Sequence, residues 1–138
     1  MATLYAPSAR LIWSLTGSGL TAISAAGNSG AWSAPANGWQ AAAAVDLRDV
    51  TDVSLMVSVG AVTSSPSLTV TLNVFDDLGN SYTTGIATTA ITAPGTALVS
   101  GGTHGLTGKQ LILPAWGQIA WTCTGGSVTG TEIALYGR

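Results

Sequence analysis

Charge is what this sequence lacks most. Asp, Glu, Lys and Arg make up 7% of its 138 residues, with a formal net charge of -2, against about 25% charged residues in an average soluble domain. The basic residues are Arg10, Arg48, Lys109 and Arg138, scattered along the chain. Neutralising phosphates takes clustered Lys and Arg, so nucleic acid is excluded as the main ligand. Cysteine is nearly absent too. Cys123 stands alone, which excludes an intrachain disulfide and a cysteine-based zinc site and is compatible with a reducing compartment. Long apolar runs are missing: the longest, residues 41–45, falls far short of the ~20 residues a membrane helix needs, so no membrane partner is expected. Residues 1–9 have no basic stretch, and Trp13 and Ser14 interrupt residues 11–15, so no secretion signal is expected.

What is present is a hydrophobic chain, 46% by composition, with 18 glycines and much Ala, Ser and Thr. Disordered segments show the reverse balance, low hydrophobicity with high charge, so the chain folds. Its length suits one domain, and one that buries roughly two-thirds of its unfolded surface without a staple.

The apolar residues recur mostly at period two. In residues 67–76, Leu68, Val70, Leu72 and Val74 fall on one face and Thr69, Thr71 and Asn73 on the other, until Phe75 breaks the polar face. Only an extended chain turns that alternation into one dry side. Val53, Leu55, Val57 and Val59 alternate in the same way with Ser54, Met56 and Ser58. With residues 60–66 between them, the two runs are expected to be strands of one antiparallel pair. Residues 76–80, Asp-Asp-Leu-Gly-Asn, carry turn chemistry that folds residues 81–89 back as a hairpin partner. Glycine-rich punctuation then leaves short strands at 96–100, 109–113, 118–124 and 132–136, the last two paired through residues 125–130.

The N-terminal third is less regular. Residues 10–16 read as a strand, 20–25 as a weaker one and 27–39 as a loop. Residues 40–46 contain four alanines that favour helix, but Val45 and Leu47 lead into the strands, and the extended reading is preferred. The fold class expected is all-β: a single antiparallel β-sandwich over 40–138, jelly-roll-like, with an irregular N-terminal arm over 1–39.

Candidate chemistry is sparse. A hydrolase triad needs a histidine, and the single one, His104, sits in Gly101-Gly102-Thr103-His104-Gly105, a flexible loop ill suited to a catalytic base. Cys123 shares a face with Ile119 and Trp121, which predicts an inert core thiol. Gly17-Ser18-Gly19 lacks the third glycine of a dinucleotide fingerprint, and no phosphate-loop Gly-Lys-Ser/Thr occurs. No enzyme activity and no cofactor are expected. Asp46, Asp49 and Asp52, or Asp76 and Asp77, have the clustering of calcium ligands. The plainer reading is stronger: Arg48 pairs with one of the first three, turn aspartates cap their own backbone, and no metal is expected.

Five tryptophans are many for this length. Trp13 and Trp121 lie among alternating apolar residues and read as core. Trp32, Trp39 and Trp116 lie near Gly or Pro in expected loops. There a ring either plugs the end of the core or anchors a protein interface; stacking on a sugar ranks below both.

The order of segments also resembles a known pattern. Residues 46–53, Asp-Leu-Arg-Asp-Val-Thr-Asp-Val, lead into an alternating strand. Residues 64–72, Ser-Ser-Pro-Ser-Leu-Thr-Val-Thr-Leu, and 76–82, Asp-Asp-Leu-Gly-Asn-Ser-Tyr, follow, and Gly125-Gly126-Ser127-Val128 precedes a terminal strand. Over residues 46–138 this is similar to small structural proteins of tailed bacteriophages. The resemblance implies a virion component, made in the bacterial cytoplasm: a capsid decoration or minor capsid protein bound to the major capsid protein, or else a tail component. Decoration proteins often sit at threefold positions, so a homo-oligomer, a trimer, is implied with it. A surface so poor in charge is independently expected to be covered by partners. The rival expectation is a tail or tail-fibre carbohydrate-binding module using Trp32 and Trp39 as a stacking platform.

Overall fold

A strand of 22 residues running straight would span about 70 Å, roughly twice the diameter of a compact chain of this size. The last strand of this protein has that length, and it bends. The structure, a computed structural model, describes residues 9–15, 21–29, 45–76, 78–102 and 113–138. Within them the elements are β1 (Arg10–Ser14), β2 (Thr21–Ile23), β3 (Gly27–Asn28), β4 (Val45–Asp46), β5 (Asp52–Val59), β6 (Ala61–Phe75), β7 (Ser81–Ala87), β8 (Gly95–Gly102) and β9 (Trp116–Gly137). Over the described residues the chain is all-β and antiparallel, a sandwich that approaches a closed barrel.

β5 and β6 do not pair with each other, contrary to expectation. Split only by Gly60, they run end to end along β9, from Val53 opposite Gly137, through Ser58 opposite Glu132 and Ala61 opposite Thr129, to Val74 opposite Gly117. Nor do residues 118–124 and 132–136 form a hairpin: both belong to β9, and the glycines between them mark a bend. The strand order is β7-β6-β9-β5-β8, with β1, β2, β3 and β4 all on β9. The described parts of the expected N-terminal arm therefore lie along the sheet, and the stretch expected as a loop from Gly27 begins with β3 pairing to Trp121 and Ala120. Of the expected strand at 109–113, residues 109–112 lie outside the described residues, and Leu113 precedes β9 without strand pairing.

The bend needs backbones in close approach. Gly60 N–H donates to both Thr129 O and Gly130 O at 3.1 Å. The register shifts between Ser64 and Ser67, a bulge in which Pro66, lacking an N–H, does not forfeit a ladder bond. Ser64 has φ 64° and Gly125 φ 78°. A Cβ on Gly126 would stand 2.2 Å from Thr63 O, and one on Gly125 2.5 Å from Ser65 O. Glycine and proline here do the steric work they do in turns, which is why the sequence reads as two loops.

Folded at this crease, the two halves enclose one core. Val53, Leu55 and Val57 of β5 with Ile133 and Leu135 of β9 join Leu68, Val70 and Leu72 of β6 with Ile119, Cys123 and Val128 of β9 in a single buried cluster. The alternation is the expected one: β5 buries every second residue, and so does β6 from Leu68 to Val74. Leu47, Val45 and Val50 add to the cluster from the segment before β5. Trp13 and Trp121, expected as core, are half-buried against it and stack at 6.5 Å with 29° between their planes. The Trp121 ring also explains Gly27, where a Cβ would sit 2.6 Å from it.

Two substitutions test this arrangement. Gly126→Ala forces a methyl onto a carbonyl oxygen and is expected to cost about 2–4 kcal/mol, read as a lower urea midpoint; an unchanged midpoint contradicts the crease geometry. Thr131 is fully buried with no hydrogen-bond partner for its Oγ1. Thr131→Val removes an unsatisfied hydroxyl and is expected to stabilise by about 1 kcal/mol, checked by the same titration.

Candidate functional site

Few of the singled-out residues converge. His104, Trp32, Trp39 and Asp77 lie outside the described residues. Cys123 is buried, its Sγ 3.6 Å from the carbonyl oxygens of Ile23 and Gly126. Among the described residues, no three His, Cys, Asp or Glu side chains are grouped to hold a metal.

The carboxylates are instead used locally. Asp46 Oδ1 accepts from the Arg48 Nε and backbone N–H at 3.0 Å, and Oδ2 accepts from Nη2 at 2.8 Å. Arg48's hydrogen bonds hold the Asp46 carboxyl below the usual carboxylate range. The same guanidinium lies 4.8 Å from the centre of the Trp116 ring, which β4 places beside Asp46 in register. One side of the ring expected as an interface anchor is thus already met by a fixed cation. Asp52 lies 3.5 Å from Arg138 Nε, and Thr51 Oγ1 donates to Arg138 O. Asp49 adopts φ 62° in the turn closed by Val50 N–H on Leu47 O.

Asp76 caps the β6–β7 turn as its sequence predicts. Its carboxylate accepts from Asn80 Nδ2, from the backbone N–H groups of Asn80 and Leu78, and from the Tyr82 hydroxyl, each at 2.9 Å. Gly79 supplies the positive φ of 88°. These donors, the Asn80 side chain foremost, lower the Asp76 pKa to about 2, and donation to Asp76 raises that of Tyr82.

The remaining feature is a shallow, open groove on the outer face of the β6–β9 half. Thr69, Thr71 and Asn73 of β6, Thr83 of β7, and Ala120, Trp121 and Thr122 of β9 line it. Asn73 Oδ1 is buried there without a hydrogen-bond partner. Sequence reasoning saw these threonines only as a polar face, since alternation says which side is wet and not whether it is concave. The groove can exchange hydrogen bonds through hydroxyls and an amide. None of its lining residues carries a formal charge, so it offers no general base.

The same is true more widely. Arg10, Asp46, Arg48, Asp49, Asp52 and Arg138 lie where the long passes end, away from the crease, and Asp76 sits in the turn beyond β6. Of the charged residues in the described strands, Arg10, Asp46 and Asp52 stand at strand ends, and Glu132 alone lies within a strand, on an outer sheet face. No family model, curated protein or solved structure matches this chain.

The Asp76 cap has a pH signature. A carboxyl whose folded pKa lies below its unfolded value contributes stability above the unfolded pKa, near 3.8, and loses it as pH falls through about 2. The melting temperature should therefore drop between about pH 4 and pH 2, and Asp76→Asn should flatten that part of the curve. A carboxyl NMR titration placing Asp76 at an ordinary value would remove the cap.

Proposed function

We propose that this protein is a non-enzymatic structural component of a bacteriophage virion, bound as a decoration or minor capsid protein to the major capsid shell. The reading rests on the resemblance over residues 46–138 together with one observation of the fold. Charge is withdrawn to the strand ends, leaving outer faces of Ser, Thr, Asn, Gln and Ala with a few apolar side chains. Docking such a face onto another protein desolvates few ions, so shape and hydrogen bonds suffice for adhesion. Trp116, held by Arg48, supplies a rigid aromatic anchor at the charged end.

A second reading, a tail-fibre module for glycans, is favoured by the threonine- and asparagine-lined groove on the outer face of β6, β7 and β9. The two readings separate in one experiment. Purified protein mixed with shells of the parent phage assembled without it should sediment with them, and should pass unretained over host-wall glycans. Retention by the glycans without binding to the shells reverses the assignment.

A further inference from the structure

Sheet edges expose unpaired backbone groups, and folded proteins usually blunt them with charge, proline, bulges or short strands. Most described edges here are blunted. Along the outer edge of β9 the partners are the short pieces β1, β2, β3 and β4, with register shifts in the pairing of β1 and β2. β7 bulges around Gly85, φ 77°, and Thr84 Oγ1 donates to Leu72 O.

β8 is not blunted. It pairs with β5 without a break over eight residues, from Gly102 opposite Asp52 to Gly95 opposite Val59. It contains no charge and no proline. Among the described residues no strand pairs with its other side, although β7 comes near it. Leu98, at the middle of β8, is 65% exposed.

The sequence of this edge reads the same in both directions by residue type: Gly95-Thr96-Ala97-Leu98-Val99-Ser100-Gly101. We propose that β8 is the pairing edge for a second copy of this chain, with two β8 strands running antiparallel about a two-fold axis at Leu98. Gly95 then meets Gly101, Thr96 meets Ser100, Ala97 meets Val99, and Leu98 meets its own equivalent. A two-fold contact demands such self-matching, because each residue must suit what its symmetry mate presents. A strand of unrelated sequence would place no such demand on β8. The absence of charge removes like-charge repulsion from the register. The contact joins two copies of the β1–β9–β5–β8 half into one continuous sheet and covers both Leu98 side chains. It does not depend on the capsid reading, and it sets a two-fold against the threefold that the resemblance implies.

Sedimentation velocity over a concentration series from nanomolar to high micromolar tests it. The expected result is a monomer–dimer equilibrium, weakened at least about tenfold by Leu98→Lys, which sets two ammonium groups against each other. Opposed residues of an antiparallel pair lie close enough for a disulfide. Oxidised Leu98→Cys should therefore give a covalent dimer, whereas Leu78→Cys, at the 80% exposed Leu78, should not. If Leu98→Lys loses its far-UV circular dichroism, the cross-linking comparison decides alone. A monomer at every concentration, a trimer, or equal cross-linking at both positions overturns the proposal.

Discussion

The whole architecture depends on one backbone contact, the approach of Gly60 to Thr129 and Gly130 between β5–β6 and β9. Two antiparallel strands of this length cannot lie flat inside so small a domain, and they cannot separate without exposing their ladder bonds. Bending them together is the remaining solution. It requires the strands to close up at the crease without side chains in the way. Gly60, Gly125 and Gly126 leave that space, and the Ser64 to Ser67 bulge takes up the difference in path length. Once the ribbon is folded, Leu55 and Val57 on one half and Val70 and Leu72 on the other enter the same core. β7 and β8 continue the pattern, with Leu68 bridging Ile91 between them before the chain turns towards β5.

The crease also sorts the surface. Strand ends gather on the side away from it, and there Arg48 binds Asp46 and Arg138 approaches Asp52. The Arg48–Asp46 pair is exposed and contributes little to stability, whereas Asp52 is mostly buried beside Arg138. Their value lies in placement: the scarce charge is spent on one another and on holding Trp116, while the broad faces of the described strands carry Glu132 alone. Among the described residues, the faces poor in charge and the unpaired side of β8 share one physical property: little charge has to be desolvated when another surface meets them.

Much of this was legible in the sequence. The alternation at Val53 to Val59 and Leu68 to Val74 gave the buried faces residue by residue, because period two has one physical meaning in a half-buried strand. Asp76, Gly79 and Asn80 specified their turn in the same local way, and Cys123 was correctly read as core. The partners of the strands were not legible. Residues 60–66 and 125–130 have the composition of loops, and a glycine that permits a turn is chemically the same as one that permits two backbones to touch. Only the long register between β5–β6 and β9, which no local window contains, separates the alternatives. The groove around Asn73 was hidden for a similar reason, since its walls come from three strands.

β9 has a further consequence, in the order of synthesis. β1 to β6 all take hydrogen bonds from it, and Arg10 pairs with Gly137 across almost the full described chain. A ribosome releasing the chain from its N-terminus exposes β5, β6 and their valine and leucine faces long before β9 exists to cover them. Only the β6–β7 and β5–β8 pairings can form during that interval. Contacts so distant in sequence close slowly, and uncovered strands are prone to associate in the meantime. Folding of this domain thus follows translation of β9, and the nascent chain is the stage at which it is most exposed to aggregation.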